Sequence, residues 1–216
     1  LFNVFLSIKK KEFNIFFESF SVYEIYNKIC ALLVIFGESL EEKHFQIVKK
    51  LKNPPGRIEK INNIKKLNIF VDYAHTPDAL NEVLNSLKNT YDKNISLVFG
   101  CGGERDFKKR PLMAKIAKSI CKKIYVTDDN PRKENPKKIR KEIVKYLKGS
   151  NYFNIGNRSK AIKEALSNAQ SDEIVLIAGK GHENYQDFGN KVISISDKEI
   201  VKKLKIKKNF TNKKKQ

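Results

Sequence analysis

Apolar positions set the first expectations. From Ser21 to Gly37, Val22, Ile25, Tyr26, Ile29, Leu33 and Phe36 recur near one face at helical spacing and predict a helix. Before it, Leu1 to Phe20 alternates loosely between apolar and polar residues and predicts two short strands. A second helix is expected over Glu41 to Leu51. Asn53-Pro54-Pro55-Gly56 then breaks the pattern, because proline fixes φ and removes a backbone donor. This places a domain boundary between 1–54 and 55–206.

Beyond the boundary the pattern becomes regular. Short apolar runs at Asn68–Asp72, Ile95–Phe99, Lys123–Thr127, Tyr152–Ile155, Glu173–Ala178 and Lys191–Ile195 predict six strands. Between them lie amphipathic stretches. Thr76 and Pro77 open one helix, with Leu80, Val83, Leu84 and Leu87 inward. Pro111 opens the next, with Leu112, Met113, Ile116, Ala117 and Ile120 inward. Asn135-Pro136 starts a third through Ile139, Ile143, Val144 and Leu147. Ser159 begins a fourth with Ile162, Ala165, Leu166 and Ala169, and Asp197 caps a last one. Strands alternating with such helices predict an α/β, Rossmann-like fold: a mostly parallel six-stranded sheet with helices on both faces. The last two strands are joined by a short polar connection, so one antiparallel strand is expected near the C-terminus.

Composition sharpens this picture. Of 216 residues 40% are apolar, enough for a core, and the longest strongly apolar stretch, Ile29 to Phe36, is far short of the about 20 residues a membrane span needs. The N-terminal segment is broken by Lys9, Lys10 and Lys11 and does not read as a signal peptide. Cys30, Cys101 and Cys121 are widely spaced, which points to free thiols in a reducing cytoplasm, and three histidines exclude a His-rich metal site. The net charge of +20 raises nucleic acid as a partner. Only six of the 44 basic residues are arginine, and eight lysines with no acid fall between Val201 and Gln216. A solvated lysine face and a basic disordered tail over 207–216 is therefore the preferred account, with no nucleic acid bound.

Four loops follow strand ends, where an open α/β sheet places its ligands. Asp72-Tyr73-Ala74-His75-Thr76-Pro77 offers a carboxylate, suited to a ribose, and a histidine just before a helix N-terminus, suited to a phosphate. A helix cap with a packed tyrosine is an equally good reading. Gly100-Cys101-Gly102-Gly103-Glu104-Arg105 lacks the third glycine of a dinucleotide fingerprint, but sets an arginine on a glycine-rich loop where it could hold an anion. Thr127-Asp128-Asp129-Asn130-Pro131-Arg132 reads either as an Asx-type turn or as a clamp for a charged amino-acid group. Ala178-Gly179-Lys180-Gly181-His182-Glu183 is not a P-loop, and no P-loop occurs in these 216 residues.

In order along the chain, Pro55-Gly56-Arg57-Ile58-Glu59, DYAHTPDAL (Asp72 to Leu80), FGCGGERD…KRPLM (Phe99 to Met113), TDDNPR (Thr127 to Arg132) and AGKGHE…YQ (Ala178 to Gln186) resemble the Mur ligases of peptidoglycan synthesis, over about residues 19 to 204. Asn157-Arg158-Ser159-Lys160-Ala161-Ile162 fits the same family. The resemblance implies that 1–54 is the end of the central ATP-binding domain and 55–206 the C-terminal amino-acid-binding domain. It implies an ATP-dependent ligase acting in the cytoplasm, with ATP as substrate and Mg²⁺ held mainly by the central domain. The catalytic residues of that domain, including its P-loop, are not among those in this sequence. Arg57, Asp72 and His75 would meet the nucleotide. Arg105, Asp129, Asn130, Pro131, Arg132, Gly179 and Glu183 would hold meso-diaminopimelate, and UDP-N-acetylmuramoyl-L-alanyl-D-glutamate would be the other partner. The D-N-P-R turn carries the choice of amino acid: diaminopimelate ends in a carboxylate and an ammonium, lysine in an ammonium alone, and Arg132 supplies the cationic fork the carboxylate needs. Two alternatives stay open: another amide-forming ligase of the same superfamily, and a noncatalytic remnant or binding module.

Overall fold

A computed structural model of the chain describes residues 2–8, 11–17, 22–51, 54–61 and 67–204. The chain divides into two compact units, Leu1–Pro54 and Pro55–Gln216.

In the first unit, strands β1 (Phe2–Ile8) and β2 (Lys11–Phe17) pair antiparallel, followed by helices α1 (Val22–Phe36) and α2 (Glu42–Lys50). Ile15, Phe17, Ile25, Ile29, Leu32, Leu40, Phe45 and Val48 form its core. The buried stripe of α1 runs through Ile25, Ile29 and Leu32, one position round from the sequence-based expectation. Tyr26 is 58% exposed and Val22 lies at the edge.

The second unit begins with β3 (Glu59–Ile61) and β4 (Asn68–Asp72), then α3 (Pro77–Tyr91), β5 (Ile95–Phe99), α4 (Lys109–Ile120), β6 (Lys123–Val126), α5 (Pro136–Val144), β7 (Tyr152–Asn154), α6 (Arg158–Asn168) and β8 (Ile174–Ala178). Six strands form one sheet in the order β3-β4-β8-β5-β6-β7, all neighbours parallel except β3 with β4. Every residue of β5 and β8 is buried, as expected of central strands covered on both faces. One face packs against α3, α4 and α5 through Leu84, Leu97, Met113, Ile143 and Leu176. The other packs against α6 through Val98, Ile162, Ala165 and Ile177. The expected mostly parallel six-stranded sheet is present.

The antiparallel strands are distributed differently from the sequence reading. Strand β10 (Val192–Ser194) is antiparallel, but to β9 (Tyr185–Asp187) in a separate hairpin. The sixth place in the sheet belongs to β3. The cause is burial: all three residues of β10 are exposed, whereas Ile61 of β3 is buried. Helix α4 starts at Lys109, two residues before Pro111, and Leu112 is 49% exposed rather than inward. Helix α6 starts at Arg158, with the Asn157 side chain accepting from the Lys160 amide. Asp197 does not cap the last helix, over 197–204: Ser196 Oγ accepts from the Glu199 amide, and Asp197 turns inward to Arg158. The basic tail expected over 207–216 lies outside the described residues. Among the described residues no helix is long and apolar enough to cross a membrane.

Consecutive strands β4 and β5 are separated in space by β8. Because β4, β8, β5 and β6 run parallel, their C-terminal ends share one sheet edge. All four loops singled out from the sequence leave from that edge, across a change in strand order of the kind that opens a crevice.

Candidate functional site

The four loops enclose a cavity of about 520 Å³. His75 comes from the loop after β4, Arg105 from the loop after β5, Asp129, Asn130 and Arg132 from the loop after β6, and Gly179 and Glu183 from the loop after β8. Seven of the expected site residues thus line one cavity.

The turn after β6 is held tightly. The Arg132 backbone is left-handed, with φ +52, an unusual state for a residue with a side chain. Its N–H donates to Asp187 O (2.9 Å), and its Nη1 donates to Gly103 O (2.9 Å). Those bonds hold the strained residue and leave Nε and Nη2 as further donors. Pro131 is buried behind the turn and does not line the cavity. Gly103 donates its N–H to Asn130 O (2.9 Å), and a Cβ on Gly103 would stand 2.0 Å from Pro131 O. Only glycine permits that approach of the two loops.

Arg105 is exposed at the cavity, and its guanidinium bonds to no described residue. Asp129 is 8% exposed. Its Oδ1 accepts from the Asn130 N–H (2.6 Å), while Oδ2 has no partner. A buried carboxylate oxygen without a donor is costly, so this atom is suited to a donor brought by a ligand. Oδ2 lies 2.8 Å from where a Cβ on Gly179 would stand, and Gly179 has φ +110. Asn130 Nδ2 donates to Glu183 Oε2 (3.0 Å), and its Oδ1 accepts from Lys180 Nζ (2.9 Å) and the Asp187 N–H (3.1 Å). Lys180 Nζ also donates to Glu183 Oε2 (2.7 Å).

The three residues assigned to a nucleotide are placed differently. His75 lines the cavity, with Nδ1 2.9 Å from Tyr73 O and its own carbonyl accepting from Lys109 Nζ (2.8 Å). Arg57 lies outside the cavity lining, its guanidinium 4.8 Å from the centre of the Tyr73 ring. Asp72 is 6% exposed. One of its oxygens accepts from the Ile58 N–H and the other from the Ala74 N–H, both at 2.7 Å. Burial pushes its carboxyl up, opposed by those two bonds and by Arg57. Asp72 therefore clamps the start of the unit to the loop after β4. Burial also pushes Tyr73 up, with the Glu183 charge adding to it. Cys101 is buried and its thiol is pushed up to about 12 by burial, so it is an inert side chain and not a nucleophile.

Several site-building residues were not assigned roles from sequence. Gln186 is buried, and Nε2 donates to both Asp128 O (2.9 Å) and Asp129 O (2.8 Å), pinning the turn from below. Arg110 is 1% exposed and donates to Glu134 through both Nη atoms and to Glu142. Arg158 is equally buried, pairs with Asp197 through two bonds of 2.7 Å, and donates to Ala178 O at the end of β8. No local pattern marks them, because these partners lie 20 or more residues away along the chain. Among the described residues no group of three His, Cys, Asp or Glu could hold a metal ion. The described residues therefore offer no three-ligand site for Mg²⁺.

Residues 56–181 match the family described as Mur ligase, glutamate ligase domain. The chain is 48% identical over 177 residues to the UDP-N-acetylmuramoyl-L-alanyl-D-glutamate--2,6-diaminopimelate ligase of Rickettsia bellii (strain RML369-C), covering 78% of this chain and 37% of that protein. It is 43% identical over 205 residues to the enzyme of the same name in Rickettsia conorii (strain ATCC VR-613 / Malish 7), covering 93% of this chain and 42% of that protein. A solved structure of a UDP-N-acetylmuramoyl-L-alanyl-D-glutamate--2,6-diaminopimelate ligase is similar with a TM-score of 0.69 and 34% identity, over 96% of this chain and 43% of that one. The chain thus spans less than half the length of these relatives.

Proposed function

The chain belongs to the Mur ligase family, and from that premise we propose that it forms the amino-acid-accepting part of an ATP-dependent ligase that adds meso-diaminopimelate to UDP-N-acetylmuramoyl-L-alanyl-D-glutamate. In this reading Leu1–Pro54 is the end of the ATP-binding domain, and the unit from Pro55 is the domain that delivers the amino acid. The ligase would work in the cytoplasm, in peptidoglycan synthesis and so in cell shape and division.

One observation carries the proposal. Arg105 and Arg132 converge with Asp129 and Glu183 on a single cavity. Two guanidinium groups beside two carboxylates match a ligand end bearing both a carboxylate and an ammonium. In the reaction, the peptide carboxylate takes the terminal phosphoryl group of ATP, releasing ADP. The α-amine of diaminopimelate then attacks the acyl carbon, the amide bond forms, phosphate leaves and the amine loses a proton. The residues of this chain hold and orient the amine for that attack, and positioning of this kind lowers the barrier without new covalent chemistry. Arg132 and Arg105 would take the far carboxylate, Glu183 the far ammonium, and Asp129 Oδ2 a substrate N–H. His75, with Lys109 beside it, would face the nucleotide phosphates, and Arg57 and Asp72 would support that end of the cleft.

The test is Arg132→Ala in a ligase with its full set of domains. Loss of a hydrogen bond between charged groups costs roughly 1.5–3 kcal/mol, about one to two decades in affinity. KM for diaminopimelate should rise by that factor, KM for ATP should stay nearly constant, and the preference over lysine should narrow. Unchanged diaminopimelate kinetics, or equal damage to both substrates, would remove Arg132 from the clamp.

A further inference from the structure

Among the described residues of the second unit, Lys180 is the one wholly buried lysine, at 1% exposure. A buried ammonium is expensive unless paired and hydrogen-bonded. Here Nζ lies 2.7 Å from Glu183 Oε2 and 2.9 Å from Asn130 Oδ1, with the Tyr185 ring centre 5.2 Å away. The two polar side chains it grips are two of the residues proposed to hold the amino acid, yet Lys180 itself does not line the cavity.

We propose that Lys180 is a positioning residue of the amino-acid pocket, acting through Asn130 and Glu183. An amide group has two faces, and the ammonium dictates which one the cavity meets. Because Nζ donates to Oδ1, Nδ2 must point to Glu183, and its second N–H is left as a donor to a ligand carboxylate. Lys180 also fixes the carboxylate of Glu183. Oε2 is filled by Lys180 and Asn130, so Oε1 is the oxygen left for a ligand ammonium. Pre-organising both groups removes an ordering cost that a ligand would otherwise bear. Glu183 reinforces the arrangement from the main chain, its N–H donating to Lys180 O (2.9 Å).

This inference rests on the reading that the pocket takes meso-diaminopimelate, and its test separates the two. Binding of meso-diaminopimelate to the 216-residue chain would be measured by calorimetry for the wild type and for Lys180→Met, Glu183→Gln and the double variant. Residues acting as one unit give non-additive losses. Lys180→Met should weaken binding at least tenfold in the wild-type background and by a clearly smaller factor in the Glu183→Gln background, where only its hold on Asn130 remains. Melting temperatures would be followed in parallel. Should Lys180→Met alone not fold, the comparison of Glu183→Gln with the charge-neutral double variant carries the test, and a loss well below tenfold between them supports the proposal. A tenfold loss in both backgrounds would mean that Lys180 supports the fold only, and would overturn it. Wild-type binding with Lys180→Met unaffected would overturn this inference and leave the pocket assignment standing. A wild-type chain that does not bind diaminopimelate would overturn both.

Discussion

At the scale of single residues, the site is made by side chains that hold backbone as much as by those that face the cavity. Gln186 shows this most directly, since one amide nitrogen serves two carbonyls of the turn that carries Asp129 and Arg132. Gln186→Ala leaves both carbonyls without that donor, at about 1–3 kcal/mol. Denaturant unfolding should show the free energy of unfolding lower by that amount, with a correspondingly earlier midpoint. Gly179→Ala is expected to be worse for the pocket than for the fold. The added Cβ meets Asp129 Oδ2 at 2.8 Å in a left-handed backbone, so the carboxylate must move out of the cavity. Diaminopimelate affinity should fall by more than tenfold, as calorimetry on the variant would show. The residues that face the cavity were reached through the resemblance of the four loops taken together, since a loop alone reads equally as a helix cap or an Asx-type turn. Lys180 and Gln186 were not. Their chemistry is local to a contact between loops about 50 residues apart, and sequence spacing carries no record of such a contact.

At the scale of elements, the helices read well wherever a cap and a stripe agreed. Thr76 caps α3, and Leu80, Val83, Leu84 and Leu87 are all buried. Leu84→Ala should cost about 2–5 kcal/mol, measurable as a lower melting temperature. The misreadings share one cause. Pro111 and Asp197 looked like helix starts by residue type, but the partners that decided the geometry lie far along the chain: Glu134 and Glu142 for the neighbouring Arg110, and Arg158 for Asp197. The strand count survived, yet β3 replaced β10 in the sheet, because three-residue strands carry too little pattern to fix a partner. The link from α4 to α5 also titrates. A hydrogen bond from Arg110 holds the Glu134 carboxyl below the ordinary glutamate range, against a smaller opposing effect of burial. A carboxyl lowered in the folded state contributes stability above its unfolded pKa, about 4.3, and loses it as pH falls through the folded value. Stability of the wild type should therefore drop more steeply below about pH 4.3 than that of Glu134→Gln, in urea titrations over that range.

At the scale of the whole molecule, the two units differ in how much core each can build. Among its described residues the first rests on eight buried apolar residues, while Phe5, Phe16, Val34 and Ile35 stand exposed at 57–86%. The second has two continuous cores, one on each face of its sheet. Protection against amide exchange follows buried apolar contact. Amides of Ile25–Leu32 should accordingly exchange faster than those of β5 and β8 under native conditions, as mass spectrometry of deuterium uptake would resolve. Equal protection in both would contradict this.

The interlock of the glycine loop with the D-N-P-R turn has a consequence for anyone who would rebuild the pocket. A Cβ on Gly103 has nowhere to go, because the Pro131 carbonyl already occupies the space at 2.0 Å. The same two segments are tied by the bond from Gly103 N–H to Asn130 O and by that from Arg132 to Gly103 O. Neither can be lengthened, reshaped or exchanged for that of a related ligase while the other stays as it is. The practical unit of transplantation is the pair, moved together as a single cassette with Gln186 and Lys180 beneath it, and a graft of the turn alone would arrive without the mould that shapes it.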